Sequence, residues 1–236
     1  MAVNGNLALD IFSHPALRRL GEWLEPAPAA SPAASPATSP ATSPAWSPAW
    51  SPAWSRAELA GRLCELSAGP DGALLSVAVG LVAEAQRAGE PAAWVTATRA
   101  IFFPPDAAAC GVDLAALTVV QVKDAATAGR AADVLLRSGA YGLVVLDLGT
   151  GAAMPAPLQG RLVQLALKHD AAVLCLTQKR PDEPSLGSLV SLRGQCARRR
   201  SRDGRRFLCD VATLKDKRHG PGGSWQEVRL GPEGLC

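Results

Sequence analysis

The side chains able to do chemistry are unevenly placed along the 236 residues. Residues 193–219 hold ten Lys or Arg against three Asp or Glu, a local net charge of +7, while residues 1–192 hold thirteen against sixteen, a net of −3. Arg193, Arg198, Arg199, Arg200, Arg202, Arg205 and Arg206 crowd about one expected turn, and Lys215, Lys217 and Arg218 follow. Such a cluster attracts phosphates or acidic protein surfaces, with strong salt dependence. Phe207 is the one aromatic among them, so base stacking is not indicated. Two readings stand: a solvated hairpin with charges on its outer face, or a surface that binds a partner or DNA.

The other reactive residue types form no constellation. Six cysteines (Cys64, Cys110, Cys175, Cys196, Cys209 and Cys236) show no CxxC or other zinc spacing, and the three histidines are far apart in sequence. No metal site is expected. Cys64 and Cys175 lie in apolar runs, where a free thiol behaves as a small hydrophobe. The expectation is a cytosolic protein with reduced thiols. The N-terminus lacks the basic start and apolar run of a signal peptide, and no stretch is long enough to span a bilayer. A soluble, cytoplasmic protein follows.

The elements that must position these groups alternate. Ser55-Arg-Ala-Glu58 forms a capping box opening a short helix. Strands are expected at 61–67, 92–97, 142–147 and 172–178, and helices at 75–88, 124–138 and 156–169, with Gly89 and Gly139 as stops. Leu158, Leu162, Leu165 and Ala166 face inward on the last of these helices. Alternating βαβα with near-continuous apolar strands implies an α/β fold: a mostly parallel central sheet flanked by helices. The tail differs, with strands at 188–199 and 205–214 joined across Ser201-Arg-Asp-Gly204, whose Asp-Gly is a hairpin signal, and a last strand at 224–230.

Three segments result: 1–25, a 26–55 linker, and a 56–236 domain. Residues 13–25 read as a short helix, capped by Ser13 with Pro15 in its first turn. Leu17, Leu20, Trp23 and Leu24 share one face, which either packs on its own domain or docks into a partner groove. Residues 31–55 repeat SPAA, SPAT, SPAT and SPAW three times, then Ser55. Proline at every fourth position forbids helix and central strand. The segment reads as a disordered, extended spacer reaching on the order of 75 Å at about 3.1 Å per residue. Trp46, Trp50 and Trp54 belong to the spacer in this reading, either as products of repeat expansion or as a weak aromatic contact surface.

Several stretches, in register, resemble bacterial RecA. Gly61-Arg-Leu-Cys-Glu-Leu66 resembles the strand entering the phosphate loop, and Ala85-Gln-Arg-Ala-Gly89 the end of the helix behind it. Cys110-Gly-Val-Asp-Leu-Ala-Ala-Leu117 resembles the stretch before the third strand. Leu136-Arg-Ser-Gly139 and Leu143-Val-Val-Leu-Asp147 resemble the approach to the Walker B strand and the strand itself. Cys175-Leu-Thr-Gln178 is similar to the strand ending in the glutamine that senses nucleotide state, and Leu214-Lys-Asp-Lys217 to the basic pair at the subunit interface. The resemblance covers roughly 61–232 and implies a RecA-like core with a C-terminal β-hairpin extension.

The same register shows what is lost. A phosphate loop needs G-x-x-x-x-G-K-[ST]: glycines admit backbone N–H groups to the phosphates, Lys meets their charge and the hydroxyl holds Mg²⁺. Here the stretch is Ala68-Gly69-Pro-Asp-Gly72-Ala73-Leu74-Leu75, with Leu74 at the Lys position, Leu75 at the Thr position and Ala73 at the last Gly. Two leucines against phosphate charge would be desolvated without compensation. They are expected instead to join the apolar face of helix 75–88. The catalytic Glu position is Thr98, which cannot serve as a carboxylate base. Asp147 and Gln178 survive, either as residual metal- or nucleotide-sensing groups or as polar ends of buried strands. The loops after Asp147 (148–155) and after Gln178 (Lys179–Ser185) are short, which leaves little of the family's two DNA-binding loops.

These departures imply a non-catalytic protein with no cofactor. Among RecA-like families without a working ATP site, the chain resembles the ImuA family, accessory factors of DNA-damage-induced (SOS) mutagenesis. That resemblance implies RecA and a Y-family polymerase homologue of the ImuB type as partners in translesion synthesis. Two alternatives remain: a SulA-like division inhibitor binding FtsZ, and a weak ATPase with an unusual site, against which Leu74 speaks.

Overall fold

Side chains alternate across each central strand, and the alternation builds two cores, one on each face of a single sheet. Leu63, Val144, Leu146, Val173 and Cys175 enter one core, while Cys64, Leu66, Val145, Leu174 and Leu176 enter the other. The structure is a computed structural model that describes residues 54–70, 72–97, 102–200, 206–220 and 222–230, all within the unit Ser47–Cys236. The expected helix at 13–25, the repeat up to residue 53, Thr98, Arg202 and Arg205 lie outside the described residues.

The elements are α1 (Arg56–Leu59), β1 (Arg62–Ala68), α2 (Leu74–Arg87), β2 (Ala92–Thr96), α3 (Pro104–Ala109), β3 (Leu117–Gln121), α4 (Ala125–Arg137), β4 (Leu143–Thr150), α5 (Ala156–His169), β5 (Ala172–Gln178), β6 (Leu192–Arg200), β7 (Arg206–Asp216) and β8 (Ser224–Leu230). The sheet order is β3-β2-β4-β5-β1-β6-β7-β8. All pairings from β3 through to β6 are parallel, and β6-β7-β8 are antiparallel. The expected α/β class, parallel centre and hairpin extension are therefore present. Helix α2 packs Val77, Ala78, Leu81 and Val82 on one face. On the other face α4 brings Ala128, Ala132 and Leu136, and α5 brings Leu162 and Ala166. Leu158 and Leu165 pack against the same core half-buried.

Four differences from the sequence reading have physical causes. Trp54 is not spacer: it is fully buried in the α2-side core, and its indole Nε1 donates to Thr213 Oγ1 at 3.2 Å. Gly194 makes the room, since a Cβ there would lie 2.3 Å from the Trp54 ring. The one-and-a-half-turn α3, and strand β3 that only the resemblance implied, fill a stretch that periodicity left blank, because both are short and α3 is mostly Pro and Ala. Strand β6 starts at Leu192, not 188. Residues 179–191 are an irregular crossover from the end of β5 to the parallel strand β6, with Leu186, Leu189 and Val190 packed on the α4–α5 core. Leu75 does not join the apolar face of α2: it is 36% exposed, while Leu74 packs half-buried against the core.

Candidate functional site

Three neighbouring strands, β4, β5 and β1, end at one edge of the sheet and bring the chemistry-bearing positions together there. Ala68, the last residue of β1, sits opposite Gln178, which in turn sits opposite Thr150 of β4. Gly69, Gly72, Ala73, Leu74 and Leu75 form the passage from β1 into α2. Their backbone closes on itself, because Gly72 N donates to Gly69 O at 3.0 Å. A Cβ on Gly72 would lie 2.0 Å from Ala68 Cβ, so only glycine fits this turn. A Cβ on Gly69 would meet nothing within 4 Å. Ala73 caps α2 without a side-chain bond, and no acidic residue stands in the first turn. The helix start therefore offers amide N–H groups framed by Leu74 and Leu75, with neither a Lys nor a hydroxyl at those two positions.

Asp147 is buried on β4 opposite Thr96 of β2, whose Oγ1 donates to its carboxylate at 3.4 Å. Ala97 N donates to the Asp147 carbonyl at 2.8 Å, and a register shift follows between Asp147 and Gly149. Gln178 is exposed at the end of β5. Lys179, the next cation, is not free to meet a phosphate: its Nζ donates to Glu65 Oε1 at 3.0 Å and to Pro184 O at 3.2 Å. Among the described residues no group of three or more His, Cys, Asp or Glu is placed to hold a metal ion. The five described cysteines are unbridged, and burial pushes the Cys64 thiol up to about 12 and the Cys175 and Cys196 thiols up as well. A shallow cleft of about 290 Å³, lined by Arg56, Glu90, Tyr141, His169 and Asp170 among others, lies instead where β2 and β4 begin.

The basic cluster divides. Arg193, expected in the exposed cluster, is instead buried, with Nε donating to Ser67 Oγ at 3.2 Å and standing 4.0 Å from Glu65, and its other nitrogens on Glu183 O and Arg180 O. It cannot contribute to an exposed patch. Arg198 and Arg199 are exposed on the β6–β7 ribbon, the first 5.1 Å above the Phe207 ring and the second paired with Asp210 at 2.8 Å. Arg200 and Arg206 continue the two strands. Lys215 sits opposite Arg193 across β6–β7. Partial burial, then the neighbouring charges of Lys217 and Arg193, hold its pKa below the usual lysine value. Lys217 Nζ donates to Ser188 O at 2.7 Å, and Arg218 binds Ala60 O at 3.0 Å.

One cluster escaped sequence reading. Glu65, fully buried on β1, accepts from Thr177 Oγ1 at 2.8 Å, Lys179 Nζ at 3.0 Å and Leu186 N at 2.7 Å. A lone carboxylate between the apolar Leu63-Cys64 and Leu66 was the available signal, since a buried charge requires partners.

Among the described residues no helix is long and apolar enough to cross a membrane. In comparison with known proteins, the RecA N-terminal domain model matches residues 58–178. The protein RecA of Corynebacterium jeikeium is 39% identical over 100 residues, covering 42% of this chain and 26% of that protein. The RecA of Salinispora arenicola is 36% identical over 129 residues, 50% of this chain and 36% of that protein. That of a Picosynechococcus species is 34% identical over 110 residues, 46% and 31% respectively. The matches thus span well under half the length of these relatives. The matched stretch is more than half of the chain, and the chain belongs to the RecA N-terminal domain family.

Proposed function

We propose that this is a non-hydrolysing member of the family: a regulatory protein of the DNA-damage response, of the ImuA type, that binds and restrains RecA and supports error-prone translesion synthesis with a Y-family polymerase homologue. The observation that carries the reading is the start of α2. Leu74 and Leu75 stand where phosphate charge would have to be met, and the turn before them is closed by the Gly72–Gly69 bond. Desolvating phosphate charge against apolar side chains without compensation is costly. The fold is retained while the charge chemistry is gone, which suits docking without turnover.

The surface in this reading is the end of β7 with the β6–β7 ribbon: Lys215 and Lys217, with Arg198 and Arg199 as exposed cations able to face phosphate or acidic side chains. A copy that docks on RecA but cannot cycle ATP would end a head-to-tail assembly, because such a contact grows only when both ends are competent. The test is binding of the purified chain to RecA at modest salt, with RecA strand exchange as readout and FtsZ as parallel bait. Binding with inhibition, weakened by charge reversal at Lys215 and Lys217, is expected. FtsZ binding without RecA binding would overturn the reading in favour of a division inhibitor.

A further inference from the structure

The crossover 179–191 runs from the exit of β5 over the face of β1 to β6 without forming a helix, although parallel strands are usually joined by one. An irregular strap on a sheet face leaves its backbone polar groups without an internal ladder, so each must find a partner elsewhere. Most of the partners are side chains from β1, β6 and α5 and from Lys217 just past β7. Glu65 of β1 accepts from Leu186 N at 2.7 Å. Lys179, held by the same carboxylate, caps Pro184 O at 3.2 Å. Arg193 of β6 donates to Arg180 O and Glu183 O, and Gln195 Nε2 to Lys179 O at 3.2 Å. Gln159 of α5 donates to Leu186 O at 3.3 Å, and Lys217, just past β7, to Ser188 O at 2.7 Å. Lys179 N closes the set on Ala68 O of β1 at 3.0 Å. Pro181 and Pro184 restrict the chain between these points.

From this we infer that Glu65 and Arg193 are positioning residues of a permanent clamp, which holds the segment after Gln178 in one conformation independently of nucleotide. The rim of the sheet edge from Lys179 to Ser185 is then a preset surface and not a switch. One carboxylate with no solvent exposure organises it: its two oxygens take a hydroxyl, an ammonium and a backbone amide, and the Arg193 guanidinium lies between that carboxylate and the strap carbonyls. The inference does not depend on which partner the protein binds.

Residue-resolved amide exchange on the full chain tests it. Leu186 N–H, bonded to the buried carboxylate, is the direct reporter. In the wild type it should exchange slowly, and its rate should not change on adding ATP with Mg²⁺. Arg193→Lys keeps a cation near Glu65 but cannot reach both strap carbonyls, and Glu65→Gln removes the charge that holds Lys179. Each should raise exchange at Leu186 about tenfold or more while the amides of 92–96 and 143–147 keep their protection, the signature of local opening. Should Glu65→Gln fail to fold, Arg193→Lys and the wild-type measurement decide. Fast exchange at Leu186 in the wild type, protection gained only with nucleotide, or no response to Arg193→Lys would each overturn the clamp. These exchange rates are read without RecA, so failure of the proposed function is separable from failure of the clamp.

Discussion

Truncating Trp54 to Ala separates a linker from a core, because the same substitution at Trp50 or Trp46 alters an identical Ser-Pro-Ala-Trp unit. A Trp side chain buries roughly 150–250 Å². At about 25 cal/mol per Å² that is about 4–6 kcal/mol as an upper bound. Trp54 is fully buried and also donates to Thr213 Oγ1, which the truncation leaves without that donor. Core Phe or Trp truncations cost about 3–5 kcal/mol, and the expected loss falls in that range. Urea unfolding followed by circular dichroism reads it as a lower midpoint at unchanged slope. Trp46→Ala and Trp50→Ala should each stay within about 0.5 kcal/mol of wild type. A cycle adds a second check. Gly194→Ala would push a methyl into the Trp54 ring, so it should be destabilising alone and clearly less so on top of Trp54→Ala, the residual cost coming from Val211 at 2.9 Å. If Trp54→Ala cost no more than Trp50→Ala, the ring would belong to the spacer and the reasoning would fail.

Further outcomes follow from the same structure. Arg62 and Asp216, both buried and 2.5 Å apart, tie β1 to the end of β7, so Asp216→Asn should cost about 3–5 kcal/mol in urea unfolding by stranding the arginine. Burial alone would raise the Asp216 pKa, but bonds from Arg218 N, Arg62 and His219 outweigh it and hold the pKa below the usual carboxylate range. The folded value is thus the lower one, so this stabilisation is complete above the ordinary value of about 3.9 and is lost as pH falls through the folded value. Asp216→Asn should flatten that acid limb. Leu74→Lys with Leu75→Thr should lower stability by about 1–2 kcal/mol through lost burial and still give no ATP turnover, because the Gly72–Gly69 closure remains. If the ribbon meets nucleic acid, replacing Arg198 and Arg199 by Ala should flatten the slope of log affinity against log salt by about 1.4–1.8; an unchanged slope would remove these two residues from the contact.

Much of this fold was legible because its signals are local. The strands at 142–147 and 172–178 read as buried on both faces because they are apolar at every position but one or two, and helix 156–169 was legible from the inward spacing of Leu158, Leu162, Leu165 and Ala166. The departure from the phosphate-loop pattern was legible from residue types alone, with Leu74 and Leu75 at the Lys and Thr positions. What escaped depends on contacts distant in sequence. Trp54 looks like its two sister residues until Gly194, far along the chain, leaves room for its ring. Arg193 looks like one of seven arginines until Glu65 and the strap carbonyls claim it. Glu65 carries the same lesson, since a carboxylate in an apolar strand says that partners exist but not which ones.

Whether this RecA-like domain has lost ATP binding is tested most directly by equilibrium binding of ATP with Mg²⁺ to the full chain, with turnover followed in the presence and absence of single-stranded DNA. The expected result is no saturable binding up to millimolar ATP and no turnover above buffer, with Asp147→Ala indistinguishable from wild type in both. Micromolar binding with turnover abolished by Asp147→Ala would contradict it and return the protein to the ATP-hydrolysing members of its family.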